Sequence, residues 1–123
     1  MSNSDFARNL RIRTKNFALE IIRQTEDLPV NLTSEILRKQ IIRSATSVGA
    51  NYRSACRSRS KPDFIAKLRI VLEETDETLY WLELLDALRL LSHDKYYEIH
   101  GEGEQLVAIF VTSLQTAKRS QNQ

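Results

Sequence analysis

Apolar residues recur at spacings of three and four along most of this chain, a pattern that predicts long amphipathic helices. The longest such run lies between Lys61 and Leu91. Its inward stripe is Phe64, Leu68, Val71, Thr75, Thr78, Leu82 and Leu85, widened by Ile65, Leu72 and Leu79. We therefore predict a buried helix over 61–91, begun by Ser60 as N-cap and Pro62 in the first turn.

Three further helices are predicted around it. The first runs from just after Ser4 to about Asp27, with an inward stripe of Phe6, Leu10, Phe17 and Ile21. The second runs from about Ser34 to Arg59, capped by Thr33 or Ser34, with an inward stripe of Leu37, Ile41, Ala45, Val48, Tyr52 and Ala55. The segment SHDKYYEIHGEGE is interpreted as a loop or a frayed helix start, before a fourth helix containing Leu106, Ile109, Phe110, Leu114 and Ala117. Short connections then predict an up-down-up-down four-helix bundle.

Composition agrees with this all-α class. Only three glycines and two prolines occur in 123 residues, which is the size of one domain over 1–123, with an ordered core expected at about 5–118. The single cysteine, Cys56, excludes an internal disulfide and suits a reducing compartment. The N-terminus lacks the apolar core of a signal peptide, and no segment is apolar enough to span a membrane. We therefore expect a cytoplasmic protein.

The buried helix also carries apolar residues on the side that the core does not use. Ile70, Tyr80, Trp81, Leu84 and Leu88 lie on or beside this opposite face. In so short a chain, a second copy of the same protein is the most economical cover for them. We therefore predict a homo-oligomer with these five residues in its interface.

The charges are separated along the chain although the net charge is only +2. Residues 38–69 hold nine Lys or Arg and one Asp, whereas residues 70–104 hold ten acidic and two basic residues. Lys39, Arg43, Arg53 and Arg57 share the outward stripe of the second helix, and Arg59 and Lys61 follow at the turn. Neighbouring helices of opposite charge could attract one another, or the basic face could bind a polyanion such as nucleic acid.

No constellation in the sequence indicates catalysis. Glu73, Glu74, Asp76 and Glu77 have no histidine on their helix, and Glu98 and His100 are too closely spaced to share a helical face. The four carboxylates are better interpreted as partners for the cations of a neighbouring helix or subunit. Similarly, Asn51 is expected to bond to a neighbouring helix or subunit, Trp81 to lie in the core or interface, and Cys56 to be a small buried hydrophobe. We expect no metal, no cofactor and no enzymatic activity.

Several motifs resemble a known family. They are Ser47-Val48-Gly49-Ala50-Asn51-Tyr52, then Arg57-Ser58-Arg59-Ser60-Lys61, Phe64-Ile65-Ala66-Lys67-Leu68 and Glu73-Glu74-Thr75-Asp76-Glu77-Thr78-Leu79-Tyr80-Trp81-Leu82. Their order resembles bacterial four-helix bundles that include proteins encoded in intervening sequences of 23S rRNA genes, and relatives similar to the accessory variability determinant of diversity-generating retroelements. The resemblance covers about Ile12 to Ala117. One departure is Ser54, where many members carry a Glu, which leaves Arg53 and Arg57 less compensated.

The resemblance implies a ring-shaped homopentamer. For the retroelement relatives it also implies a basic surface that binds nucleic acid and a reverse transcriptase partner. Together with the basic stripe, it predicts a non-catalytic oligomeric bundle that binds RNA or DNA, or a nucleic-acid enzyme, through Lys39, Arg43, Arg53, Arg57, Arg59 and Lys61. The alternative is a structural or protein-interaction ring with no affinity for nucleic acid.

Overall fold

Four α-helices make up the protein in a computed structural model that describes residues 3–121. α1 spans Asn3–Thr25, α2 Leu32–Cys56, α3 Lys61–Ala87 and α4 His93–Gln121. Each helix packs against the next in sequence, α1 also contacts α4, and within residues 3–121 the backbones of the diagonal pairs do not approach as closely. This closed arrangement confirms the predicted all-α four-helix bundle.

The core follows the predicted stripes closely on the two central helices. All six inward positions of α2 are buried, and on α3 only Phe64 and Leu72 remain partly exposed. On α1, Leu10, Phe17 and Ile21 are buried, but Phe6 is 40% exposed. The prediction for Phe6 is wrong because its side chain lies in the first turn of α1, where it borders an open cavity at the end of the bundle.

Four threonines are fully buried within this apolar core. The hydroxyl of Thr75 donates to the carbonyl of Val71 at 2.7 Å, and the hydroxyl of Thr14 donates to the carbonyl of Leu10 at 2.8 Å. Thr78 donates to the carbonyl of Glu74 and also lies 2.8 Å from the hydroxyl of Ser44 on α2. Because each hydroxyl bonds within its own helix turn, the two predicted core threonines of α3 carry no unsatisfied polar group.

Several helix ends differ from the predictions, including both ends of α2 and the end of α1. Asn31, rather than Thr33 or Ser34, caps α2, and its side-chain oxygen accepts from the Ser34 amide at 2.9 Å. α2 ends at Cys56, three residues before Arg59, and α1 ends at Thr25. Ser60 caps α3 as predicted and accepts from the Asp63 amide.

α3 ends at Ala87 instead of Leu91 because the backbone reverses just beyond it. Arg89 adopts a left-handed conformation with φ of 58°, and its amide bonds to the Asp86 carbonyl at 2.9 Å. The Leu90 amide bonds to the Leu85 carbonyl at the same distance. These two bonds define a Schellman motif, which normally places glycine where this chain has arginine.

The segment interpreted as a loop or a frayed helix start is helical from its second residue, since α4 begins at His93 and includes both glycines of that segment. Gly103 is buried against α3, and a Cβ there would overlap a methyl group of Leu79 and lie 3.3 Å from the Phe17 ring. The glycine is therefore a packing requirement and not a helix break. α4 continues to Gln121, and residues 122–123 of the expected disordered tail lie outside the described part of the chain.

Candidate nucleic-acid interface

The predicted cation stripe lies on the outer surface of α2. Lys39, Arg43, Arg53 and Arg57 are all exposed, as are Arg59 and Lys61 at the turn. The small residues Thr46 and Ala50 between the cations are exposed too. The spacing of the stripe therefore identified the outward face of α2, although it did not show which cations are already paired.

Arg43 differs from the other cations because it forms ion pairs with α3. Its guanidinium lies 3.3 Å from a carboxylate oxygen of Glu74 and also pairs with Glu77. The Trp81 indole N–H donates to the same Glu77 carboxylate at 3.0 Å. Two of the four α3 carboxylates thus pair with the neighbouring helix of the same chain. They compensate the positive charge of Arg43.

A groove of about 820 Å³ between α1 and α2 brings five cationic side chains together. Its lining includes Arg8, Arg11 and Lys15 from α1 and Arg53 and Arg57 from α2, with no acidic side chain. The two helices approach closely at its base, where a Cβ on Gly49 would lie 3.4 Å from the Thr14 hydroxyl. This close approach brings the two rows of cations to opposite edges of one narrow groove.

The three α1 cations were missed by sequence reasoning. They follow one another at spacings of three and four, the same signal that revealed the stripe on α2. Their side chains point away from the core, and only contact between α1 and α2 places them beside Arg53 and Arg57. Arg8 lies 3.9 Å from Asp5 across an exposed pair, a separation at which little stabilisation is expected.

A second, smaller groove lies on the other side of the same residues, between α2 and α3. Arg53, Arg57, Arg59 and Lys67 line it together with Asp63. A hydrogen bond from Lys67 lowers the pKa of the Asp63 carboxyl from its ordinary value. In the part of the chain that the structure describes, no ion pair involves Arg53, Arg57 or Arg59, so these three cations are uncompensated by direct contact.

The predicted oligomer interface is a mixed surface on α3. Ile70, Tyr80 and Leu88 are 42%, 54% and 52% exposed, whereas Trp81 and Leu84 are partly covered by their own chain. The Tyr80 and Trp81 rings meet edge to face at 5.1 Å. The apolar surface is thus narrower than the sequence suggested, because Trp81 packs on its own core and bonds to Glu77.

Two other predictions need correction. The Asn51 amide donates to the carbonyl and hydroxyl of Ser47 in its own helix, at 2.9 and 2.8 Å, instead of bonding to another helix of the chain. Cys56 is partly exposed and borders the α1–α2 groove. Burial and the nearby Cys56 thiol raise the pKa of the Tyr52 hydroxyl well above its ordinary value.

One of the two histidines of the chain lies between two carboxylates. His100 lies between Glu83, at 3.0 Å from Nε2, and Glu104, at 2.9 Å from Nδ1, so both ring nitrogens are engaged. Across residues 3–121, no group of three or more His, Cys, Asp or Glu side chains is arranged to hold a metal ion. No helix within the same range is long and apolar enough to cross a membrane.

Fold and surface together define a four-helix bundle with a cation-lined groove. The chain belongs to the 23S rRNA-intervening sequence protein family, whose family model matches residues 8–112. A crystal structure described as a protein of unknown function from the S23 ribosomal protein family of Bacteroides thetaiotaomicron VPI-5482 is similar, with a TM-score of 0.81 and 32% identity. That alignment covers 89% of this chain and 97% of the other. Among curated proteins, no relative matches.

Proposed function

We propose that this protein is a non-catalytic, cytoplasmic, self-associating bundle that binds nucleic acid through the basic surface around the α1–α2 groove. The main support for this proposal is the groove, which is lined by five cations and no acidic side chain. Phosphate contacts by Lys and Arg supply most of the sequence-independent affinity for nucleic acid. The resemblance to the retroelement relatives adds a nucleic-acid enzyme, such as a reverse transcriptase, as a partner on the same surface.

The structure-based contact set differs from the sequence-based one. Arg53, Arg57, Arg59 and Lys61 stay in the proposed interface, and Arg8, Arg11 and Lys15 join it. Arg43 is removed from the main contacts because its charge is already compensated by Glu74 and Glu77. Lys39 is exposed but does not line the groove, so we assign it a peripheral contribution.

The test is the double substitution Arg53→Ala and Arg57→Ala. The matched control is Arg38→Ala with Arg69→Ala, which also removes two exposed cations but lies outside the groove. Affinity for a labelled oligonucleotide is measured by fluorescence anisotropy across a salt series. We expect only the groove variant to bind more weakly, and its salt slope to become shallower by about 1.4 for a single strand, since each lost phosphate contact removes about 0.7.

Oligomer mass, measured on the same samples, separates this function from the alternative. Glu73 and Asp76 on α3 are exposed and form no ion pair within the described residues, so a neighbouring copy could present them to the same cations. If the groove variant dissociates, the cations hold the assembly together and the structural ring is favoured. Equal affinity of both double variants, with unchanged mass, would contradict the proposed interface.

A further inference from the structure

A second cavity, of about 930 Å³, lies at the end of the bundle where α1 starts, α2 passes into α3 and α4 finishes. Three aromatic residues line it, namely Phe6, Tyr52 and Phe64. Three cations, Arg11, Arg59 and Lys61, lie among them, together with seven serine or threonine side chains and no acidic residue. Its volume falls within the range of about 300–1,000 Å³ typical of small-molecule sites.

The aromatic groups differ in how available they are to a ligand. Phe6 is 40% exposed and Phe64 is partly exposed, so both rings border open space. Tyr52 is only 4% exposed and packs against Phe110 with ring centroids 5.6 Å apart. A planar ligand could therefore reach the rings of Phe6 and Phe64, while Tyr52 forms the floor of the cavity.

The end cavity and the α1–α2 groove are adjacent and share two lining residues. Arg11 and Cys56 line both of them, so positive side chains continue from Arg53 and Arg57 past Arg11 to Arg59 and Lys61. The groove side of α1, from Arg8 to Ile22, is about 21 Å long at 1.5 Å per residue. About six stacked nucleotides fit that length at 3.4 Å per nucleotide.

We propose that the end cavity receives an unpaired base of a single-stranded nucleic acid whose backbone follows the α1–α2 groove. This rests on the proposed function and narrows its ligand from nucleic acid in general to a single strand. A base in a duplex is stacked and paired, so it cannot enter a cavity, whereas an unpaired base can stack on aromatic rings. Serine and threonine hydroxyls around Phe6 and Phe64 provide donors and acceptors for the edges of that base.

An acidic peptide or the acidic α3 of a second copy would also match the cations. A peptide helix, however, would make no specific use of two exposed rings surrounded by hydroxyls and cations. Stacking surface, hydroxyls and positive charge in one cavity are the features that an unpaired nucleotide uses together. The experiment distinguishes an unpaired nucleotide from an acidic peptide or a second copy of the chain.

The experiment compares three probes with the same number of phosphates, at one salt concentration. They are a labelled single strand of about twelve nucleotides, twice the estimated groove length, an abasic strand of equal length, and a hairpin of equal length whose stem is fully paired. We expect the single strand to bind about tenfold more tightly than the abasic strand, since one stacked base contributes about five- to a hundredfold. Phe6→Ala should remove most of this difference and leave abasic binding unchanged.

Tyr97→Ala is the control, because Tyr97 is 74% exposed and does not line either cavity. Phe64→Leu provides a second variant that retains apolar volume near the core. Equal affinity for single and abasic strands, or an unchanged preference in both phenylalanine variants, would overturn the base-binding inference while leaving nucleic-acid binding intact. Failure of all three probes to bind at low salt would refute the proposed function as well, and would favour an acidic protein partner.

Discussion

Two glycines in α4 allow a direct test of the packing between α3 and α4. Gly101 and Gly103 are two residues apart in the same helix, so Gly→Ala should confer a similar gain in helix propensity at each. Their surroundings differ sharply. A Cβ on Gly101 would meet nothing within 4 Å, whereas a Cβ on Gly103 would overlap Leu79 and lie 3.3 Å from the Phe17 ring.

The expected free energies follow from these two environments. Gly101→Ala should stabilise the protein by up to about 1 kcal/mol, because alanine is the better helix former and has room. Gly103→Ala has the same gain but introduces a methyl group into a filled core, which costs about 1–3 kcal/mol. Its net effect should lie between neutral and about 2 kcal/mol destabilising, because Leu79 is buried and can move only partly.

Urea denaturation of both variants beside the unsubstituted protein measures this difference. All three proteins must be compared at one protein concentration, since the proposed self-association would make apparent stability concentration-dependent. Thermal unfolding should separate the two variants by several degrees, at about 3–6 °C per kcal/mol for a chain of this size. If Gly103→Ala were stabilised as much as Gly101→Ala, Leu79 could move away freely and the tight α3–α4 contact would be refuted.

Four other predictions concern folding stability, oligomeric state and metal content. Arg89→Gly should stabilise the protein by about 0.5–1 kcal/mol in urea denaturation, because glycine adopts the left-handed conformation without strain; a loss of stability would show that the Arg89 side chain makes a stabilising contact. The pKa of Tyr52 is raised in the folded protein. Its contribution to the free energy of unfolding should therefore be fully present below the unfolded-state pKa of about 10 and decrease as pH rises above that value. Tyr52→Phe should remove that part of the alkaline loss, and an identical pH profile would contradict the assignment. Light scattering should give about 71 kDa, five times the 14.2 kDa chain, and a 14 kDa species would refute self-association. Elemental analysis of untagged protein should find no stoichiometric transition metal, and one tightly held zinc or iron per chain would overturn this expectation.

Periodicity predicted the buried faces well because a core-facing position depends mainly on spacing along one helix. Leu37, Ile41 and Val48 on α2 could be assigned in this way without knowing what they contact. Phe6 failed the same rule, because burial also requires a neighbouring element and the end of the bundle leaves that position open. Helix ends were less predictable still, since α3 stops at a left-handed arginine where glycine is the usual signal.

The glycine-containing segment shows a different limit. Two glycines and mixed polarity within a short stretch ordinarily indicate a loop, since each glycine costs a helix about 1 kcal/mol relative to alanine. Here the packing of Gly103 against Leu79 offsets that cost, and the contact joins residues 24 positions apart. Local sequence contains no signal of such a contact, so it could not decide between a loop and a helix start in this segment.

The charge pattern shows how chain topology converts a sequence feature into a surface. The basic block, residues 38–69, contains the turn between α2 and α3, whereas the acidic block, residues 70–104, contains the turn between α3 and α4. Those two turns lie at opposite ends of α3. Arg53, Arg57, Arg59 and Lys61 lie at or near the α2–α3 turn, whereas Glu83, Asp86 and Asp94 lie near the α3–α4 turn. Arg43 pairs with α3 between the two ends, and Arg13 of α1 pairs with Glu102 at 2.6 Å. Neither pair compensates Arg53, Arg57 or Arg59, and the start of α1 adds Arg8 and Arg11 to the same end. We therefore expect a polyanion to be attracted to the surface that holds the groove and the cavity, although the net charge of the chain is only +2.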